Sequence, residues 1–123
     1  MDNILDQLLN LKDCNYELQD YSVVLSNLTI LATHESKATE RIYLYFGGVE
    51  YIEMPVRWKG DFTLASDDEY ISIEKKSLFG TSLSNYPLEN RRRRIEVFKV
   101  NRTGGNVYLM GTISDITVET IKT

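Results

Sequence analysis

From Tyr21 onward much of the apolar pattern recurs at every second position, and that period restricts the chain to a β-rich fold. In "YSVVLSNLTILATHE" the residues are rich in β-branched types, and Leu28, Ile30 and Ala32 alternate with Thr29, Leu31 and Thr33. The segment "RIYLYFGGVEYIEMP" repeats the signal around Gly47-Gly48. A two-residue turn there pairs Phe46 with Val49 and Leu44 with Tyr51. It places Ile42, Leu44, Phe46, Val49 and Tyr51 on one face and Arg41, Tyr43, Tyr45, Glu50, Ile52 and Met54 on the other. A continuous strand with a glycine bulge is the alternative.

Further strands are expected in "FTLA" and "YISIEKK", flanking a turn at Ser66-Asp67-Asp68-Glu69. The stretch "SLFGTSLSNYPLEN" reads as a long loop anchored by Leu78, Phe79, Leu83 and Tyr86. Two more strands, "RRIEVFKVNR" and "NVYLMGTISDITVETI", are joined by a hairpin at Thr103-Gly104-Gly105. Ile95 and Val97 point one way and Phe98 and Val100 the other, which requires either burial on both faces or a bulge near Val97.

One stretch follows a different period. Ile4, Leu5, Leu8, Leu9 and Leu11 fall on one side of a helix, opposite Asp6, Gln7 and Asn10. Asp2 or Asn3 can cap it, so a helix near residues 3–12 is expected to lie as a lid on the sheet. With 123 residues, the chain has the length of one domain able to bury a core without disulfide or metal. The fold class is therefore α+β, mostly β. One N-terminal helix precedes about six or seven antiparallel strands in a curved sheet, a sandwich or a partial barrel.

The N-terminus lacks a cationic leader, and no run of about 18 apolar residues exists to span a membrane. The single cysteine, Cys14, cannot form an internal disulfide, which fits a cytoplasmic location. Catalytic groups are scarce. His34 is the sole histidine, in a stretch that reads as an exposed hairpin loop, and nothing in the sequence joins it to Cys14. A zinc centre lacks ligands, and Asp67-Asp68-Glu69 lacks the alternating oxygens and glycine of a calcium loop. Neither Gly-Gly pair has the strand–GxGxxG–helix setting of a phosphate cradle. No catalytic residue, metal or cofactor is assigned, and the chain is expected not to be an enzyme.

Binding remains. The net charge is −4, but residues 1–90 hold 7 Lys/Arg against 15 Asp/Glu, whereas residues 91–123 hold 7 against 3. The basic end opens with Arg91, Arg92, Arg93 and Arg94. Arginine forks suit phosphate and carboxylate alike. The acidic overall balance argues against nucleic acid. Read as a strand start, the run also divides its charges between two faces, solvating an edge or pairing with Glu50, Glu53 and Glu74. Tyr43 and Tyr45 belong to a residue type enriched at interfaces, unless the helix covers their face. Trp58, in a loop after Pro55, either plugs the barrel's open end or stands as an exposed anchor.

These residues lead to a non-catalytic protein-binding module, with Tyr43, Tyr45, Trp58 and Arg91 to Arg94 as candidate contacts. An inhibitor or immunity-type neutraliser of a larger partner is an analogy at the level of class. The alternatives are a small-ligand-binding β-barrel and a nucleic-acid module using Arg91 to Arg94. A homodimer through an edge strand also stands open.

Overall fold

The computed structural model of the chain describes residues 3–77, 86–102 and 104–121. In chain order the elements are α1 (Ile4–Leu9), β1 (Cys14–Ser22), β2 (Asn27–His34), β3 (Lys37–Glu53), β4 (Arg57–Lys59) and β5 (Phe62–Leu64). They continue with α2 (Asp67–Lys76), α3 (Leu88–Arg94), β6 (Glu96–Val100) and β7 (Val107–Thr120). The strands form one seven-stranded antiparallel sheet, ordered β4-β1-β2-β3-β7-β6-β5 and curled into a half-barrel. The mostly-β expectation holds, with the partial barrel as its form. Both outermost strands are three residues long, a length that limits edge-to-edge pairing there.

The helices follow local signals. The Asn3 side chain caps α1 by accepting from the Asp6 amide at 2.8 Å. The helix ends at Leu9, short of the expected Lys12, and Asp13 takes a left-handed φ of 56° as the chain turns into β1. "DDEYISIEKK", expected as a turn and a strand, is helix α2. Ser66 accepts from the Glu69 amide, and the Glu69 carboxylate accepts from the Ser66 amide. This reciprocal pair satisfies two donors that only a helix start leaves unpaired. Three acidic residues in the first turn and Lys75 and Lys76 in the last oppose the helix dipole. Tyr70 and Ile73, three apart, supply its buried face.

Gly47-Gly48 is not a hairpin turn. β3 runs through it as one 17-residue strand, in agreement with the bulge alternative. Gly47 lies opposite Thr112 and Tyr51 opposite Met110, so three residues of β3 face Gly111 alone. Gly48 supports this bulge with a φ of 56°. A Cβ at Gly111 would stand 3.3 Å from the Gly47 carbonyl oxygen and 3.3 Å from Val49 Cγ2. Ile42, Leu44, Phe46 and Val49 reach the concave core as expected. Beyond the bulge Tyr51 turns to the opposite face, while Ile52 and Met54 pack against the concave core. The expected assignment of those three residues is thereby reversed. The second glycine pair does make a turn, with φ of 93° and 127° at Gly104 and Gly105 between β6 and β7. Thr103 and the expected loop anchors Leu78, Phe79 and Leu83 lie outside the described residues.

Two apolar clusters hold the sheet. On the concave side Leu8 of α1 joins Ile30, Leu44, Leu109 and the rings of Tyr16, Phe46, Trp58, Phe62 and Phe98. Tyr16 stacks on Trp58 with centroids 5.5 Å apart, and Phe62 meets Tyr16 edge-on at 5.0 Å. Trp58 lies in β4 rather than in a loop, and it is buried; it plugs the core and is no exposed anchor. On the convex side α2 and α3 cover one end of the sheet, where Tyr70, Ile73 and Ile95 pack with Val97 and Met110. β6 is therefore buried on both faces, the first of the two expected options.

Candidate functional site

The four arginines stand in α3, not at the start of a strand. Helical geometry separates their roles. Arg91 Nε donates to Glu74 Oε2 at 2.7 Å, with only 11% and 8% of the two side chains exposed, and Arg91 Nη1 donates to the Tyr86 carbonyl. Arg92 donates to Asp67 Oδ1 at 2.8 Å, to Glu96 Oε1 and to the Ala65 carbonyl, and its guanidinium lies 4.9 Å above the Tyr70 ring. Burial pushes the Tyr70 phenol up to about 12, and its hydroxyl donates to the Ile95 carbonyl. Arg93 pairs with Glu89 one turn back, at the surface. Among the described residues Arg94 has no ion-pair partner. Of the expected partners Glu74 is present, but on a helix rather than a strand. Thus Arg91 and Arg92 fasten α3 to α2 and β6.

The sheet brings together the two residues that the sequence could not join. Cys14 on β1 lies opposite His34 on β2, with Sγ 3.5 Å from Nδ1. His34 ends a strand beside the turn and is half-buried, rather than exposed in a loop. Cys14 is fully buried, and burial pushes its thiol up, with Asp61 and Asp13 adding to the shift. A reactive thiolate needs the opposite, a lowered pKa and access. Here a buried thiol packs against an imidazole. Among the described residues no group of three or more His, Cys, Asp or Glu could hold a metal ion.

The open surface lies elsewhere. Tyr43 and Tyr45 alternate with the concave residues Ile42, Leu44 and Phe46, so they occupy the convex face. The helix α1 packs on the concave side, which leaves the two tyrosines uncovered by it and half-exposed. Beside Tyr45 lies a depression of about 500 Å³ lined by Asp20, Leu25, Thr29, Tyr45, Asp115 and Thr117, among others. Its rim continues into the β1–β2 hairpin tip. There Val23, Val24 and Leu25 are 73%, 93% and 68% exposed. Val23 and Val24 have the β-branched side chains enriched in strands. They form a turn instead, with Ser26 at a φ of 53° and the Ser22 hydroxyl accepting from the Leu25 amide. Three successive aliphatic residues at a solvent-facing tip are the least expected feature of the surface, because aliphatic side chains gain about 1.5–3 kcal/mol each on burial.

A second concavity, about 1010 Å³, opens between α1, α3 and the β6–β7 pair. Ile4, Leu5, Leu88, Ile95 and Ile113 floor it, and Arg94 stands among its lining. No helix among the described residues is long and apolar enough to cross a membrane. No family model, curated protein or solved structure matches the chain.

Proposed function

We propose that the chain is a non-catalytic cytosolic module that binds a larger protein, docking through its β1–β2 tip and the convex face beside it. The observation that carries this reading is the exposed Val23-Val24-Leu25 tip, continuous with the Tyr45 depression. Asp20 and Asp115 flank that depression, and no Lys or Arg is among its lining. The complementary partner surface is an apolar pocket rimmed by Lys and Arg. An anionic membrane would be repelled by the same carboxylates. Neutralisation of a basic partner, in the manner of an inhibitor or immunity protein, fits this acidic and apolar surface.

The nucleic-acid alternative is weakened because Arg91 and Arg92 are engaged within the fold. A ligand-holding barrel is disfavoured by the aromatic rings packed on the concave side. A photo-crosslinking residue at Val24 tests the reading in native lysate. The expected product is one crosslinked band with a larger protein. Crosslinks to nucleic acid or lipid, or none above a control at Glu40, would defeat it.

A further inference from the structure

The sheet carries an unfilled lane. β6 pairs with β7 from Val100↔Val107 only as far as Glu96↔Gly111, where the chain before it becomes α3. β7 continues to Thr120 and is paired there with β3 alone among the described residues. The short strands at the two ends of the sheet do not reach this edge.

Its hydrogen-bonding groups can be assigned. The Ile121 amide donates to the Thr39 carbonyl at 2.7 Å. Antiparallel pairs exchange hydrogen bonds at every second residue, so Glu119, Thr117 and Asp115 bond to β3. Ile116, Val118 and Thr120 then direct their peptide groups away from the sheet. The Asp115 carboxylate accepts from the Ile116 amide at 2.9 Å and closes that one position. Among the described residues Val118 and Thr120 keep donors and acceptors without a partner, a template for another strand.

Chemistry along the edge selects the occupant. Ile116 and Val118 face the concave side, where Ile116 packs on the core and Val118 is 58% exposed. Asp115 and Glu119 stand exposed on the convex side, and residues 112–121 contain no Lys or Arg. A strand laid here sets aliphatic residues beside Ile116 and Val118, and basic residues beside Asp115 and Glu119. A second copy of this edge brings its own Asp115 and Glu119 to that convex side, with Thr117 between them and no Lys or Arg of its own strand. The lane opens at Thr112 and Ile113 into the groove that holds Arg94, so an added segment has room to continue. We propose that the edge Ile116–Thr120 takes an extended segment of the partner, alternately aliphatic and basic, as an eighth strand. This inference rests on the protein-binding reading.

The test uses the full chain and a blocked heptapeptide of alternating valine and lysine at millimolar concentration, read by amide hydrogen exchange. The Val118 and Thr120 amides are expected to slow by about tenfold or more. The valine–glutamate counterpart should leave them unchanged. Val118→Pro, tolerated where the amide faces outward, should abolish the response while the buried Trp58 keeps its native emission. Unchanged exchange, or equal binding by Val118→Pro, overturns the proposal. So does a dimer in which both amides are already slow without peptide. Crosslinking at Val24 separates the two readings: a persistent partner there with an inert edge removes the eighth strand and leaves the docking module.

Discussion

Arg91 and Glu74 provide a direct test of what the arginine run does within the fold. Their ion pair is 2.7 Å long and largely shielded from solvent. Replacing Arg91 by Met leaves the Glu74 carboxylate buried without its cation, and the Tyr86 carbonyl loses a donor. Breaking a buried pair from one side costs about 3–5 kcal/mol, a large share of the roughly 5–15 kcal/mol that holds a typical domain folded. Removing both charges together, as Arg91→Met with Glu74→Leu, eliminates the stranded ion and should recover most of that loss. Urea unfolding followed by Trp58 emission reads the effect. With a slope of about 1–3 kcal/mol/M, either single variant should lower the midpoint by about 1–5 M, and the double variant by much less. Single variants within about 0.5 kcal/mol of the parent, or a double variant at the sum of the singles, would refute the clamp.

Further outcomes follow from the same geometry. Lys99, with the Ser66 backbone, holds the Glu69 carboxylate at about 2, well below its ordinary 4.5. That contribution is present above about pH 4.5 and is lost as pH falls through about 2. Discounted for partial solvent exposure, it is about 1–2 kcal/mol. The stability gap between the parent and Glu69→Gln should therefore close across that window in acid titrations of the urea midpoint; a constant gap contradicts the assignment. Gly111→Ala forces a methyl against the Gly47 carbonyl and Val49 and should cost about 1–3 kcal/mol, read as a lowered thermal midpoint. No loss would mean that the bulge yields freely. Serine at Val23, Val24 and Leu25 together should leave stability within about 0.5 kcal/mol, since the tip is solvent-facing. A large loss would show that the tip packs within the fold.

The sheet was legible because period-two alternation is written directly in Leu28–Ala32 and Ile42–Phe46. α2 was not, although its signature was present. Tyr70 and Ile73 suit a helix, whereas Tyr70-Ile71-Ser72-Ile73 also suits a strand, and the Ser66/Glu69 spacing was the signal that separates them. The arginine run misled for a related reason: a strand reading split its charges evenly, while the helix sends Arg91 and Arg92 inward to carboxylates distant in sequence. β3 could not be resolved at Gly47-Gly48, because one glycine pair serves a hairpin or a bulge and only the register against β7 distinguishes them. The Cys14–His34 contact likewise depended on knowing that β1 starts at Cys14. Of the candidate contacts Tyr43 and Tyr45 lie on the open face, whereas Trp58, Arg91 and Arg92 are absorbed by the fold. The apolar tip was concealed by composition, since Val23 and Val24 have the residue type of a strand and the place of a turn.

What the Val23–Leu25 tip touches separates a protein partner from nucleic acid. The most direct measurement is affinity capture of the parent and of the Val23→Ser, Val24→Ser, Leu25→Ser variant from native lysate, each with and without nuclease, followed by mass spectrometry. The expected result is one stoichiometric protein partner that survives nuclease with the parent and is missing with the variant. The contradicting result is a set of ribonucleoproteins that vanishes with nuclease, or a partner held equally by both.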